Sequence, residues 1–207
     1  MTARGRFISL EGGEGVGKST QVRALAEALR ARGHDVIETR EPGGSEGAEA
    51  IRALLLSGSE ERWGAEAEAL LFAAARTDHV DKVIRPAVEA GRWVLSDRFI
   101  DSSLAYQGGA GALGLEAVRA INAFGIGPWF PDRTLVLIHP EGAERARARD
   151  GEDSDRIGGR PAAYHEAVEA AFRTIAADEP ERVRLIDASG AVEVVTRRLL
   201  DALADLP

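Results

Sequence analysis

The chain has 207 residues, no cysteine and a formal net charge of −8 at pH 7. This length is enough for one domain with a large hydrophobic core, and the lack of cysteine excludes disulfides and thiolate chemistry. The acidic balance argues against a broad nucleic-acid-binding surface. No apolar stretch reaches the roughly eighteen residues of a membrane span. The first predicted strand follows Met1 too closely for a signal peptide, so we expect a cytoplasmic protein.

Apolar strand segments alternate with helical segments along the whole chain. The predicted strands cover residues 6–10, 35–40, 93–96, 134–138 and 183–186. The predicted helices cover residues 19–32, 48–56, 65–76, 78–90, 115–124, 141–149, 162–177 and 191–206. This alternation predicts a single α/β domain over residues 1–207, with a five-stranded parallel sheet and helices on both faces. Loops at the carboxyl ends of the strands are then expected to carry the functional residues.

The stretch "GGEGVGKST", residues 12–20, lies between the first predicted strand and the first predicted helix. Gly12, Gly17, Lys18 and Ser19 fill the pattern G-x-x-x-x-G-K-[ST], in which backbone N–H groups cradle phosphates. Lys18 is expected to reach the β- and γ-phosphates, and the Ser19 hydroxyl to ligate Mg²⁺. The motif predicts a three-layer P-loop NTPase fold; the alternative is a plain glycine-rich turn. The predicted ATP-binding residues are Gly12, Gly13, Glu14, Gly15, Val16, Gly17, Lys18, Ser19 and Thr20.

Four further stretches carry a family resemblance. They are "TREPGGS" at 39–45, "LLFAAAR" at 70–76, "LSDRFIDSSLAYQGG" at 95–109 and "RARARDGEDSDRI" at 145–157. Together with the phosphate loop, their order and spacing resemble thymidylate kinases, which phosphorylate dTMP to dTDP with ATP. The resemblance covers essentially the whole chain.

The resemblance implies a dTMP site. Arg98 would grip the acceptor phosphate, Phe72 would stack on the thymine, and Arg76 would donate to a thymine carbonyl. Ser103 would lie at the base edge and Tyr106 near the sugar. Phe72 and Arg76 are four residues apart and share a helix face, although Phe72 alone could be a core residue and Arg76 a solvated one. The implied dTMP-binding residues are Glu41, Phe72, Arg76, Asp97, Arg98, Ser103, Tyr106 and Gln107.

The resemblance also implies that Glu14, Glu41 and Asp97 lie near the phosphates and Mg²⁺, with Ser19 and Asp97 as the metal ligands. Asp97 and Arg98 could instead form a structural ion pair. The acceptor is a phosphate whose second pKa is about 6, so the nucleophile needs no general base. We interpret the four histidines of the chain as structural or solvated. Catalysis is expected to consist of alignment and charge neutralisation.

We interpret residues 145–160 as a mobile lid. Gly15 stands where some members of the family carry an arginine in the phosphate loop, so the lid is expected to supply that charge. Arg149 is the first candidate and Arg147 or Arg156 the next; a solvated loop without function is the alternative. The candidate lid arginines are Arg145, Arg147, Arg149, Arg156 and Arg160, and the implied catalytic residues are Lys18, Arg98, Glu14, Arg149 and Arg147. The chain departs from the family pattern at residues 138–140 and at Gly158, which affects how the lid is anchored.

Two other functional classes are alternatives, another kinase and a nucleotide-binding switch module. A different deoxynucleoside or nucleoside monophosphate kinase would share the phosphate loop, although a nucleoside kinase would need no phosphate clamp at Arg98. A guanine-reading switch would need an N-K-x-D motif, which is excluded because the sole asparagine, Asn122, precedes Ala123. The resemblance suggests a homodimer, and the apolar helix face at 65–75 is compatible with one. The expected partners are ATP and dTMP with Mg²⁺ as cofactor, without nucleic acid or membrane.

Overall fold

The computed structural model describes residues 4–139 and 156–206. The strands are β1 (Phe7–Gly12), β2 (Val36–Arg40), β3 (Trp93–Asp97), β4 (Arg133–Ile138) and β5 (Val183–Asp187). The α-helices are α1 (Lys18–Ala31), α2 (Glu46–Leu56), α3 (Ala65–His79), α4 (Arg85–Glu89), α5 (Ile100–Ser103), α6 (Leu115–Ile126), α7 (Ala162–Asp178) and α8 (Val192–Asp201). A 3₁₀ turn covers Glu60–Arg62, and π-helical segments cover Val80–Ile84 and Leu104–Ala110. Each predicted strand is confirmed, and the predicted helix at 141–149 lies outside the described residues.

Three helical segments differ from the prediction. The predicted helix at 78–90 is continuous with α3, because the π-helical segment Val80–Ile84 joins α3 to α4. The last helix ends at Asp201 rather than at 206. Residues 100–110 are helical although no helix was predicted there. Gly108 and Gly109 weaken the local helix signal, and the burial of Leu104 and Ala105 in the core compensates for it.

The sheet is entirely parallel, with the strand order β2-β3-β1-β4-β5. The central strand, β1, lies between β3 and β4, so that Leu10 is in register with Asp97 and Gly12 with Leu137. The segments that follow β1 and β3 therefore leave the sheet side by side at its carboxyl edge. This placement brings the phosphate loop next to Asp97 and Arg98, as expected for functional loops of a parallel sheet.

Two hydrophobic layers cover the two faces of the sheet. Ile8 and Leu10 of β1 pack with residues of α1 and α8 on one face. Phe7 points to the other face and meets the Phe99 ring edge-on, with the ring centroids 4.8 Å apart. Every residue of β1 is buried, which is the pattern of a strand covered on both sides. Within the described part of the chain, no helix is long and apolar enough to cross a membrane.

Candidate active site

The phosphate loop connects β1 directly to α1. Gly12 has a φ of 133°, and a Cβ atom there would come within 2.5 Å of the Leu137 carbonyl oxygen, so no larger residue fits. Gly17, the residue before α1, also has a positive φ, 92°. No side chain caps α1 and no acidic residue lies in its first turn. The N–H groups at this helix end are therefore available to an anion, as the motif predicted.

Lys18 is the one cationic residue of the phosphate loop, residues 12–20. Its side chain is nearly buried, and Nζ donates to the Gly13 carbonyl oxygen at 2.6 Å. Burial, followed by the nearby charge of Arg98, lowers the pKa of Lys18 to about 8. A positively charged lysine in this place lacks solvation, and a bound polyphosphate would supply the missing anion.

Ser19 and Asp97 meet at the carboxyl edge of the sheet. The Ser19 hydroxyl donates to Asp97 Oδ2 at 2.5 Å. A hydroxyl and a carboxylate oxygen are ligand types that suit Mg²⁺, a hard cation that is held by one or two protein oxygens with phosphates and waters completing its shell. Among the described residues no group of three or more acidic, histidine or cysteine side chains could hold a metal alone. These two side chains are therefore compatible with a metal that arrives with its nucleotide.

Arg98 links the end of β3 to the phosphate loop. Its guanidinium donates from Nη2 to Glu14 Oε1 at 2.6 Å, and from Nη1 to the Gly12 carbonyl at 3.2 Å. The guanidinium also lies over the Tyr106 ring, 5.1 Å from its centroid, while the Tyr106 hydroxyl donates to Glu14 Oε1 at 3.1 Å. Arg98 thus pairs with Glu14, and Asp97 with Ser19, which argues against the simple Asp97–Arg98 ion pair.

One cavity of about 370 Å³ joins these groups to the base-binding residues expected from the sequence. It extends from the phosphate loop past β3 to α3. All predicted dTMP-binding residues line it: Glu41, Phe72, Arg76, Asp97, Arg98, Ser103, Tyr106 and Gln107. From the loop it is lined by Glu14, Gly15, Gly17, Lys18, Ser19 and Thr20, whereas Gly12, Gly13 and Val16 do not line it.

Arg76 is a buried residue rather than a solvated one, with 2% of its surface exposed. It donates to Glu41 Oε2 at 2.7 Å, to Asn122 Oδ1 at 2.6 Å and to the Phe99 carbonyl at 3.1 Å. These bonds leave two of its five N–H groups for a ligand. Glu41, expected near the phosphates, instead binds Arg76 with one oxygen and His79 Nδ1 with the other, at 2.9 Å.

Glu68, to which the sequence analysis assigned no role, binds the two arginines of the predicted lid that the structure describes, Arg156 and Arg160. Its carboxylate accepts from Arg156 Nη2 at 2.5 Å and from Arg160 Nη2 at 2.8 Å, and Gln107 Nε2 donates to it at 2.9 Å. Arg156 Nε also donates to the Leu55 carbonyl at 2.8 Å. The expectation that Arg156 or Arg160 supplies charge to the phosphates is therefore not met in this arrangement, because both are bound to Glu68. The candidates Arg145, Arg147 and Arg149 lie outside the described residues.

Several site residues were missed because their signals are weak in a sequence. Arg52 and Leu56 line the cavity from α2, which carries no motif, whereas Ser102 and Ile157 lie inside motif stretches but were assigned no role. Asn122 supports Arg76 from α6, where other polar residues gave it no distinguishing signal. Glu11 directly follows the predicted first strand and is buried in β1.

Comparisons with known proteins agree with this geometry. A family model described as thymidylate kinase matches residues 10–199. The thymidylate kinase of Rhizorhabdus wittichii is 62% identical over 204 residues, which cover 98% of this chain and 98% of that protein. That of Caulobacter vibrioides is 48% identical over 202 residues, covering 97% of this chain and 96% of that protein. The crystal structure of thymidylate kinase from Ehrlichia chaffeensis matches with a TM-score of 0.78 and 28% identity, covering 97% of this chain and 99% of that chain. The chain belongs to the thymidylate kinase family.

Proposed function

We propose that the chain transfers the γ-phosphate of ATP to dTMP, giving dTDP and ADP for dTTP synthesis. The observation that carries this proposal is the placement of Lys18 and Arg98 in one cavity. The charge of Arg98 helps to lower the pKa of Lys18, so two desolvated cations face each other there. Such an arrangement is costly without anions and suits a site that brings two polyphosphate groups together.

On the donor side, residues 12–20 bind ATP. The backbone N–H groups at the start of α1 hold the phosphates, and Lys18 neutralises the γ-phosphate. Ser19 and Asp97 hold Mg²⁺, which supplies charge neutralisation and orients the phosphates when bound. Glu14 keeps Arg98 oriented through their ion pair.

On the acceptor side, dTMP occupies the part of the cavity that lies towards α3. Arg98 binds its phosphate, and Phe72 stacks on the base, an interaction worth about 1–3 kcal/mol. The remaining N–H groups of Arg76 donate to a thymine carbonyl, and a base with an amino group there would place donor against donor. Tyr106 lies near the sugar. The other proposed contacts are Glu41, Asp97, Ser103 and Gln107.

The chemistry needs no general base, since the acceptor oxygen is already largely deprotonated at neutral pH. The side chains align the two phosphates and neutralise the charge that develops during transfer. The proposed catalytic residues are Lys18, Arg98 and Glu14, with Arg149 and then Arg147 from a lid at about residues 145–160. Gly15 leaves the loop without an arginine of its own, which supports a contribution from the lid.

We also propose a cytoplasmic homodimer. Phe124 on α6 is 98% exposed and Leu70 on α3 is 57% exposed. α3 and α6 pack closely, since a Cβ on Gly125 would come 1.8 Å from the Thr77 hydroxyl. Large apolar side chains exposed on neighbouring helices support a contact with a second copy. The absence of cysteine is compatible with a cytoplasmic location.

The test is an ADP-release assay with ATP, Mg²⁺ and a panel of acceptors. We expect dTMP to be the best acceptor, dUMP to be weaker, and cytidine and purine monophosphates to be poor. Thymidine should not be phosphorylated, because it lacks the phosphate that Arg98 binds. Preferential use of thymidine would favour a nucleoside kinase, and equal turnover of dCMP and dTMP would refute the assignment of the base pocket.

A further inference from the structure

Glu11 is the last side chain of β1 before the phosphate loop, and the function proposed above assigns it no role. It is 0% exposed. Both of its carboxylate oxygens have partners: the Phe99 N–H donates to Oε1 at 2.7 Å, and the Ser102 hydroxyl donates to Oε2 at 2.5 Å. Glu11 therefore contacts the backbone directly after Arg98, at Phe99, and the side chain of Ser102.

The hydroxyl of Ser102 connects Glu11 to the Arg98 guanidinium. Arg98 Nη1 donates to Ser102 Oγ at 3.1 Å. A guanidinium can only donate, so Ser102 Oγ must accept from Arg98 and is left with a single hydrogen to give. That hydrogen goes to Glu11 Oε2. The three groups thus form one chain, in which the Glu11 side chain holds the serine oxygen facing Arg98. Burial, together with the nearby charge of Asp101, raises the pKa of Glu11 to about 8.

Glu11 also supports the unusual backbone of Arg98. Arg98 has a φ of 72°, in the left-handed region that is strained for a residue with a side chain. Its own N–H donates to the Leu10 carbonyl at 2.9 Å, and Ser96 Oγ donates to its carbonyl at 2.7 Å. Glu11 accepts the next N–H along the chain, that of Phe99. Hydrogen bonds therefore fix the backbone at Arg98 and at Phe99, and Glu11 accepts the one at Phe99.

We propose that Glu11 is a positioning residue for the acceptor-phosphate clamp, acting on the Arg98 guanidinium through Ser102 and on the Arg98 backbone through the Phe99 N–H. The inference rests on the proposed function, in which Arg98 binds the phosphate of dTMP. A residue that merely stabilises the fold would affect binding of the whole ligand, whereas Glu11 is proposed to affect binding of the phosphate. Loss of Glu11 should weaken binding of the phosphate and leave binding of the nucleoside unchanged.

The experiment compares the affinities of dTMP and thymidine by titration calorimetry. The variants are Glu11→Gln, Ser102→Ala, their combination and Arg98→Ala. Glu11→Gln places an amide donor against Ser102 and so reverses the direction of that bond. Ser9→Ala is the matched control, since Ser9 is a buried serine of the same strand whose hydroxyl meets the Thr134 hydroxyl at 2.9 Å rather than Ser102 or Arg98.

For Glu11→Gln and Ser102→Ala we expect the dTMP affinity to fall about tenfold, the effect of weakening one hydrogen bond to a charged group, with thymidine affinity nearly unchanged. The combined variant should lose no more than the larger single loss, because the route through Ser102 is already part of the effect of Glu11. The KM for dTMP should rise, and because Arg98 is also a proposed catalytic residue, the turnover number should fall with it. Ser9→Ala should leave the affinity ratio of dTMP to thymidine unchanged.

Two results would overturn the inference. Equal losses for dTMP and thymidine would make Glu11 a structural residue, and no loss for either would remove it from the clamp. Should Glu11→Gln fail to fold, Ser102→Ala carries the test, since it removes a single oxygen. Arg98→Ala tests the clamp itself. If this variant leaves the ratio of the dTMP affinity to the thymidine affinity unchanged, Arg98 does not bind the phosphate. If it lowers that ratio while Ser102→Ala does not, only the role of Glu11 fails.

Discussion

The Arg98 guanidinium and the Glu14 carboxylate form an ion pair of 2.6 Å that joins the residue after β3 to the middle of the phosphate loop. The pair holds the proposed acceptor clamp against the proposed donor site before either substrate arrives. Arg98 has five N–H groups, so it can bind a phosphate while it keeps Glu14. The relative position of the two substrates is thus prepared by a contact between two loops of the protein.

The dependence of the unfolding free energy on pH should report this pair. The charge of Arg98 is the main cause that lowers the pKa of Glu14 from 4.5 to about 2. Because the folded state holds this proton less tightly than the unfolded chain, the stabilisation is complete above pH 4.5 and is lost as the pH falls from 4.5 towards 2. Glu14→Gln should therefore reduce the stability lost between about pH 6.5 and about pH 3.5 in urea unfolding. The exposed Glu193→Gln serves as control; an unchanged loss in Glu14→Gln would contradict the pairing.

Lys18→Ala should remove most of the turnover while the protein stays folded. Loss of one positioned charge-stabilising group typically costs about 10²–10³ in the turnover number. Thermal stability should not fall, since the variant removes a desolvated cation that lies near Arg98. Turnover and thermal unfolding measure the two effects, with the exposed Lys82→Ala as matched control. Near-normal turnover by the folded variant would show that the loop is not the donor site.

Asn122→Ala should weaken the preference for dTMP over dCMP. Asn122 Oδ1 accepts from Arg76 Nη1 at 2.6 Å, so the variant frees one side of the guanidinium that is proposed to read the base. We expect the ratio of kcat/KM for dTMP to that for dCMP to fall about tenfold, as one bond to a charged group is lost. Asn122→Asp keeps the oxygen acceptor and should retain the preference. If Asn122→Ala keeps the wild-type ratio, Asn122 does not orient Arg76 for base selection.

Arg149→Ala and Arg156→Ala should have different effects. Arg149 is proposed to act during transfer, so its loss should lower the turnover number by about 10³-fold or more and change dTMP affinity little. Arg156 is bound to the buried Glu68, and its loss leaves Arg160 and Gln107 as the partners of that carboxylate, so it should cost about 1–3 kcal/mol of stability. Single-turnover kinetics and urea unfolding separate these outcomes. Wild-type transfer by Arg149→Ala would remove that arginine from catalysis, and wild-type stability of Arg156→Ala would contradict its anchoring role.

Phe124→Asp should convert the proposed dimer into a monomer. Phe124 is 98% exposed on α6, and a dimer formed through this helix would have to bury a charge at the substituted position. Sedimentation equilibrium measures the mass of the wild type and of the variant. Val194→Asp, a charge placed on an exposed apolar position of α8, is the control and should keep the wild-type mass. A monomeric wild type, or a dimeric Phe124→Asp, would contradict the assigned interface.

The phosphate loop and the strands could be predicted from the sequence, because their requirements are local. Gly12, Gly15 and Gly17 supply the positive φ angles of the loop. Lys18 and Ser19 follow directly, so their spacing places them at the start of the helix. The strands were predictable because a strand covered on both faces contains a run of apolar residues, such as residues 135–138 of β4. The helical segment Leu104–Ala110 was not predictable, since its local propensity is poor and its stability comes from packing against the core.

Which charged side chains pair with each other depends on the three-dimensional fold. Glu41 and Arg76 are 35 residues apart, and Glu68 and Arg156 are 88 residues apart. The spacing of these residues along the chain does not favour these pairs over others. The sheet order and the packing of α3 bring them together in the interior, where they are shielded from water. An unpaired charge there costs several kcal/mol, so each buried arginine needs a carboxylate partner, and the fold determines which carboxylate is within reach.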